Sequence, residues 1–189
     1  MDVTVLKASL SPVQAQVLDR AAFAELYVTY LPKVYNYVGY RVGEKADVED
    51  ITSAIFERAL KHLHTYRANR GAFSTWLFTI ARNVVSNYFR SRRRRPEIRS
   101  LENVSPIAVN GTSPEQAVIE AEQLRQVQLC MSRLPERDQE VLALKFGGDL
   151  TNQEIAQMMG LTPTHVGVLL YRALRKLRLA VEEEVVDDD

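Results

Sequence analysis

The sequence has 189 residues, 46% of them apolar, and its 24 Lys and Arg are matched by 24 Asp and Glu, so the formal net charge is zero. That balance argues against a uniformly basic, histone-like nucleic-acid binder, and the apolar content excludes a wholly disordered chain. The single cysteine, Cys130, cannot form an internal disulfide or a thiolate metal cluster; with no leader-like start and no run near the ~20 apolar residues of a membrane span, a soluble cytoplasmic protein is expected.

The first element expected is a helix from Phe23, where Leu26, Tyr27, Tyr30, Leu31, Val34, Tyr37 and Val38 recur at three- and four-residue steps; Pro32 should bend it. A second helix is expected to open at Asp47, with Asp47 as its cap, Glu49 and Asp50 at the positive end of the helix dipole, and Val48, Ile51, Ile55, Ala59 and Leu63 on one face. The stretch Tyr66 to Ala72 reads as a loop. A third helix starts near Ser74 or Thr75, turns Trp76, Leu77, Ile80, Val84 and Tyr88 inward, and runs into an arginine tract that Pro96 ends.

Residues 96–113, which hold several breakers, read as a linker. Ser113-Pro114 is cap and first-turn proline of a helix through Val118, Ala121, Leu124, Val127 and Leu129. Leu134-Pro135 leads into a helix with Val141, Leu142 and Leu144, ended by Gly147-Gly148. Thr151-Asn152-Gln153-Glu154 has capping-box form and opens a short helix with Ile155, Ala156 and Met159. Gly160 makes a turn, Thr162-Pro163 restarts the chain, and the last helix carries Val166, Leu169, Leu170, Ala173, Leu174 and Leu177. No period-two pattern occurs, so the expected fold is all-α. It comprises an N-terminal extension (1–22), a helical domain (23–95), the linker, a second helical domain (114–181) containing a helix-turn-helix, and an acidic tail (182–189).

The zero net charge is a sum of unlike segments. Residues 23–95 carry 13 Lys and Arg against 6 Asp and Glu, and Arg82 to Arg95 holds six arginines and no acid. Residues 96–122 reverse this with five Glu and one Arg, and Val181 to Asp189 holds six carboxylates and no base. Acid in the linker and tail is expected to compete with polyanions for the basic faces.

Thr151 to Arg178 has the form of a helix-turn-helix: capping box, Ala156 where two helices must approach, Gly160, and a second capped helix ending in Arg172, Arg175, Lys176 and Arg178. Such a second helix enters the major groove of DNA. An ordinary helical hairpin with a solvated basic face is the bland alternative. Tyr66 to Phe73, with Trp76, Asn83, Tyr88 and the arginines, interleaves aromatic and cationic side chains, which suits single-stranded DNA because bases stack on rings while Arg neutralises phosphate. The bland alternative makes Trp76 and Phe73 core and the arginines a solvated helix end; it fits Trp76, which sits on the apolar stripe, better than Arg92 to Arg95, four like charges in a row that repel unless a polyanion is near.

Catalytic patterns are lacking. His62 and His64 point apart on a helix, the acids from Asp47 are explained by a helix start, and there is no Gly-rich phosphate loop, G-x-S-x-G or thiol pair. A non-enzyme without catalytic residues, cofactor or metal is expected.

Four blocks carry a resemblance: Asp47 to Ile51 through Phe56 to Ala59, Phe73 to Asn83, Leu134 to Val141, and Glu154 to Ala156 with Tyr171 to Arg178. In this order they resemble the sigma-70 family, specifically the short group IV (extracytoplasmic-function) RNA polymerase sigma factors. The resemblance implies a promoter-specificity subunit, controlled by an anti-sigma factor, that binds the clamp and flap of core RNA polymerase and helps melt promoter DNA. It implies a polymerase-docking surface of Asp47, Glu49, Asp50, Ile51, Ser53, Phe56 and Glu57. Minus-ten reading in the melted strand falls to Tyr66, Arg67, Asn69, Arg70, Phe73, Trp76, Ile80, Ala81, Asn83, Arg90, Arg92 and Arg93. Minus-thirty-five reading in the duplex falls to Thr151, Thr162, Thr164, His165, Val168, Arg172 and Arg175. One departure stands out: Gly167, Val168 and Leu169 occupy positions where relatives usually present Lys, Ser and Arg, so base contacts there are weakened. A stand-alone helix-turn-helix regulator with an N-terminal sensing domain is the alternative, and a sequestered scaffold that no longer initiates transcription is a third reading.

Overall fold

A computed structural model of the chain describes residues 12–94 and 125–187, and all the regular structure among them is helical. The linker, the Ser113-Pro114 helix start, Arg95 and the end of the acidic tail lie outside the described residues.

The first half is a three-helix unit. Helix α1 spans Pro12–Val42 and is continuous through Pro32. The carbonyl that loses its partner to that proline belongs to Val28, which is 73% exposed, so water can serve it instead. Helix α2, Lys45–His62, begins two residues before the expected start: Glu44 holds the cap position without a side-chain bond, and Asp47 lies within the first turn. Its buried face is Val48, Ile51, Thr52, Ile55, Phe56 and Ala59, while Leu63 already belongs to a 3₁₀ turn, Leu63–Thr65. A second such turn, Ala68–Arg70, occupies the expected loop. Helix α3, Phe73–Arg94, buries Leu77 as expected, and with it Phe78, Ala81 and Val85, one position round from the rest of the expected stripe; Trp76, Ile80, Val84 and Tyr88 are half-buried at its edge.

In the second half, residues 125–132 form α4. Pro135 caps α5, Glu136–Leu142, its carbonyl accepting from the amides of Asp138 and Gln139. At Gly147-Gly148 the helix widens into a π turn, Ala143–Gly147, in which the Gly148 amide reaches back five residues to the Ala143 carbonyl. Helix α6, Asn152–Met159, has the expected capping box: the Glu154 amide donates to Thr151 Oγ1 at 3.2 Å, and the Thr151 amide donates to Glu154 Oε2 at 2.8 Å. Gly160 closes α6 at φ 67°, and Ala156 is buried against α7, Pro163–Asp187. Thr162 caps α7, with the His165 amide donating to its hydroxyl at 3.2 Å.

The two halves pack against each other: α1 runs along the π turn and touches α5, and α3 lies on α6. Buried side chains from Phe23 to Ala173 form one continuous apolar cluster across that contact.

Removal of the cap hydroxyl in Thr151→Ala should destabilise the protein by about 1 kcal/mol. Ala156→Leu, which forces extra volume between α6 and α7, should cost about 1–3 kcal/mol. Urea unfolding followed by circular dichroism measures both.

Candidate nucleic-acid interface

An aromatic cluster closes one end of the first half. Tyr66 meets Phe73 edge to face at 5.3 Å between centroids and Trp76 at 5.7 Å, Phe73 lies 5.3 Å from Trp76, and Tyr30 of α1 joins at 5.3 Å from Phe73. Phe73 is core, Tyr66 and Trp76 are half-buried, and Arg67 and Asn69 stand in solvent beside them. Burial, with a smaller repulsion from Tyr30, raises the Tyr66 hydroxyl pKa above its ordinary value. Arg70 is in the adjoining 3₁₀ turn.

From this cluster α3 carries Trp76, Ile80, Asn83, Asn87 and Arg90 at three- and four-residue steps, so they share one face. Asn83 and Arg90 are exposed, Ile80 is half-buried, and Ala81 lies fully buried on the opposite side, where it packs rather than touches a ligand. An exposed Asn presents both donor and acceptor to a base edge, and half-buried rings offer the apolar wall that an unstacked base needs. Asn87 carries no sequence signal of its own; it joins Glu57, Arg58, Lys61 and His62 in lining an open groove between α2 and α3.

The arginine tract is partly neutralised within the protein. Arg92 donates to the Tyr88 hydroxyl at 2.6 Å, and that hydroxyl donates to Asp47 Oδ2 at 2.6 Å, with Arg92 and Asp47 themselves 3.9 Å apart. Burial, then the bond to Asp47, pushes the Tyr88 pKa up to about 12. Asp47 thus faces α3 instead of capping α2. Arg93 is exposed and lies 3.5 Å from Glu136 of α5. Among the described residues the acids against these arginines are Asp47 and Glu136; the linker and the end of the tail, whose acids were expected there, lie outside the described residues.

Along α2 the docking candidates divide. Glu49, Asp50, Ser53 and Glu57 are exposed in a row, whereas Ile51 and Phe56 are core, Phe56 against the Tyr27 ring at 4.6 Å. The buried pair can only support that surface.

On α7, Thr164, Val168, Arg172 and Arg175 form an exposed stripe with His165 beside it. Leu169 is 8% exposed and Val168 43%, so of the unusual triplet only Gly167 and Val168 reach the surface. Thr151 and Thr162 are spent on caps.

A second polar cluster, unmarked by sequence, joins the halves. Glu140 of α5 accepts from the Tyr37 hydroxyl at 3.0 Å and lies 3.4 Å from Arg41 Nε and 3.6 Å from Arg82 Nε. Burial, and then the negative charge of Glu140, raises the Tyr37 pKa well above normal. Glu154 is also shared: besides the cap, it accepts from the Ser74 hydroxyl of α3. Among the described residues no group of three or more His, Cys, Asp or Glu is placed to hold a metal ion, and no helix is long and apolar enough to cross a membrane.

Comparison with known proteins matches residues 26–95 to the model of sigma-70 region 2 and residues 124–177 to that of sigma-70 region 4. The chain is 38% identical over 87% of its length to the ECF RNA polymerase sigma factor BldN of Streptomyces coelicolor, of which it spans 62%. It is 30% identical over 85% of its length to the ECF RNA polymerase sigma factor SigW of Bacillus subtilis, of which it spans 89%. In fold it resembles the sigma factor RpoE solved in complex with the anti-sigma factor NepR from Bartonella quintana, with a TM-score of 0.66 at 16% identity, covering 85% of this chain and 97% of that one.

The Glu154 carboxyl is titratable in a useful way. Burial pushes its pKa up, but hydrogen bonds from Ser74 and from the Thr151 amide and hydroxyl outweigh this and hold it below the ordinary 4.5. A carboxyl depressed on folding stabilises the fold above its unfolded pKa, and that contribution fades as pH falls through the folded value. The urea midpoint should therefore drop on acidification below about pH 4.5, and Glu154→Gln should flatten that segment of the profile.

Proposed function

The chain belongs to the sigma-70 family, in the extracytoplasmic-function group, and from that premise we propose that it binds core RNA polymerase, directs it to promoters and helps open the duplex, itself catalysing no reaction. The observation that carries this reading is the pairing, in family order, of an aromatic and arginine-bearing α3 with a capped helix-turn-helix at α6 and α7. In this reading the exposed acids of α2 dock on the polymerase clamp, and α7 faces the minus-thirty-five duplex and the flap. The melted minus-ten strand runs over Tyr66, Trp76, Ile80 and Asn83, its phosphates met by Arg67, Arg90 and Arg93. Because Leu169 is turned inward, the duplex is read through Thr164, His165, Val168, Arg172 and Arg175, with shape and phosphate contacts outweighing bidentate base contacts. Work at the chromosome places the protein in the cytoplasm. By likeness to RpoE, whose solved form holds NepR, an anti-sigma factor is the proposed regulator.

Run-off transcription with purified core polymerase tests the reading: the added protein should yield promoter-dependent transcripts. Tight operator binding by the protein alone with no such transcript would overturn it in favour of a stand-alone regulator. The combined substitution of Glu49, Asp50 and Glu57 by Ala should weaken polymerase capture about tenfold or more while helicity is retained. Arg90→Gln with Arg93→Gln should make promoter affinity less salt-dependent, lowering the logarithmic slope by about 0.7–0.9 for each phosphate no longer neutralised.

A further inference from the structure

Helix α7 keeps its charges in two blocks. Its cations are Arg172, Arg175, Lys176 and Arg178, and its carboxylates, Glu182, Glu183, Glu184 and Asp187, all come after them. A helix on its own favours the reverse order, because its C-terminal end is the negative end of the dipole. Arg178 Nε does donate to Glu182 Oε1 at 2.8 Å, but a base four residues before an acid is the weaker orientation of such a pair. The stability of the helix itself therefore does not explain the order of charge along α7. Nor does sigma-70 region 4, whose match ends at residue 177 while α7 runs on to Asp187.

The buried face of α7, against α5 and α6, is Val166, Leu169, Leu170 and Ala173. Beside it runs a second row, Tyr171, Leu174, Arg178 and Val181, at steps of three, four and three residues, the spacing of a coiled-coil seam. Tyr171 is 70% exposed and Leu174 42%, Arg178 is exposed, and Val181 is half-buried. On the open flank of this row stand Arg175 and Glu182, one heptad apart and both exposed. Lys176, off the row, is engaged by Asp138 of α5.

Two α7 helices laid antiparallel, with their midpoints near Ala180, satisfy the apolar row and the charge order together. The rows of the two copies then interleave, Arg175 of each lies opposite Glu182 of the other, and each acidic segment lies beside the other copy's basic one. A parallel pair would set acid against acid and base against base. A polyanion would suit the basic block and be repelled by the acidic one. We propose that the exposed row of α7 is a self-association seam, occupied by α7 of a second copy of this chain running antiparallel to it. The inference goes beyond the sigma-factor reading and does not rest on it. From Tyr171 to Asp187 the seam is roughly 25 Å long. So short a seam buries less than a standard stable interface, and the pair is a reversible one with a Kd of about 10–100 μM. Arg175 also belongs to the stripe assigned to the promoter duplex, so a second copy and DNA exclude one another there.

Sedimentation equilibrium of the full-length protein at low salt, up to about 0.5 mM, tests the seam with three variants whose helicity is first checked by circular dichroism. Arg175→Glu with Arg178→Glu makes the seam acidic throughout, and Glu182→Lys with Glu183→Lys makes it basic throughout. The wild type should dimerise, and each charge variant alone should do so at least tenfold more weakly. An equimolar mixture of the two should dimerise at least as tightly as the wild type. Leu174→Ser keeps every charge and removes apolar contact from both copies; it should weaken the dimer about tenfold, and it decides if a charge variant does not fold. A monomeric wild type, an assembly larger than a pair, a charge variant or Leu174→Ser as dimeric as the wild type, or a mixture that stays monomeric would overturn the seam. If the dimer behaves as expected while run-off transcription fails, the seam stands and the sigma-factor reading falls.

Discussion

A backbone with no side chain at residues 147 and 148 is the constraint on which the rest of the packing depends. The π turn brings the chain so near α1 and α3 that a single β-carbon would overlap the Tyr37 backbone or the Phe78 ring. Because the approach is that close, the apolar cluster runs unbroken from one half to the other, and the water that would otherwise solvate Glu140, Arg41 and Tyr37 is largely excluded. Their mutual hydrogen bonds and charges then act at low dielectric, where leaving one unpaired is expensive. The short-range shape of two glycines thus sets the strength of an ionic cluster several residues away.

Electrostatics are arranged on the same principle of local rather than overall balance. A net charge of zero conceals a basic first half and acidic later segments. Within the described residues the pairing is selective: Asp47 and Glu136 each meet an arginine of the tract, while Arg67 and Arg90 stand out in solvent beside the aromatic cluster. Arginines already held by an internal carboxylate contribute less to a polyanion site than free ones. The surface available to phosphate is therefore smaller than the arginine count, and it runs from Arg67 along the exposed face of α3 to Arg90 and the largely exposed Arg93.

Local signals are the legible part of the sequence. The capping box at Thr151, the cap at Thr162 and the left-handed closure at Gly160 each depend on residues within four positions of one another, and each is present with the expected partners. Periodicity places the helices and Leu77 but misjudges the rest of the α3 stripe by one position: Trp76, Ile80, Val84 and Tyr88 sit at the edge of the core, while Phe78, Ala81 and Val85 join Leu77 at its centre. Asp47 looks like a cap because an acid near a helix start usually is one; its actual partner, Tyr88, is 41 residues away. Gly147-Gly148 reads as a helix end, which it is, but the reason for glycine there lies on α1 and α3. Glu140 falls within a block that resembles a family motif, and nothing local marks it as the point where three residues of the other half converge. Contacts of high sequence separation leave no periodic trace.

Gly160 and Gly147 separate two reasons for the same amino acid. At Gly160 the backbone is left-handed, φ 67°, and nothing lies within 4 Å of where a Cβ would stand; the demand is conformational, and Asn, which visits that region readily, would meet much of it. At Gly147 the demand is for space alone, and Asn would violate it as surely as Val. Among diverged copies of this chain, position 160 should drift between Gly and Asn, whereas loss of Gly at 147 should appear together with a change in how the halves meet. A substitution record at these two sites would therefore distinguish chains that keep the turn from chains that keep the closed contact, before any of their structures were known.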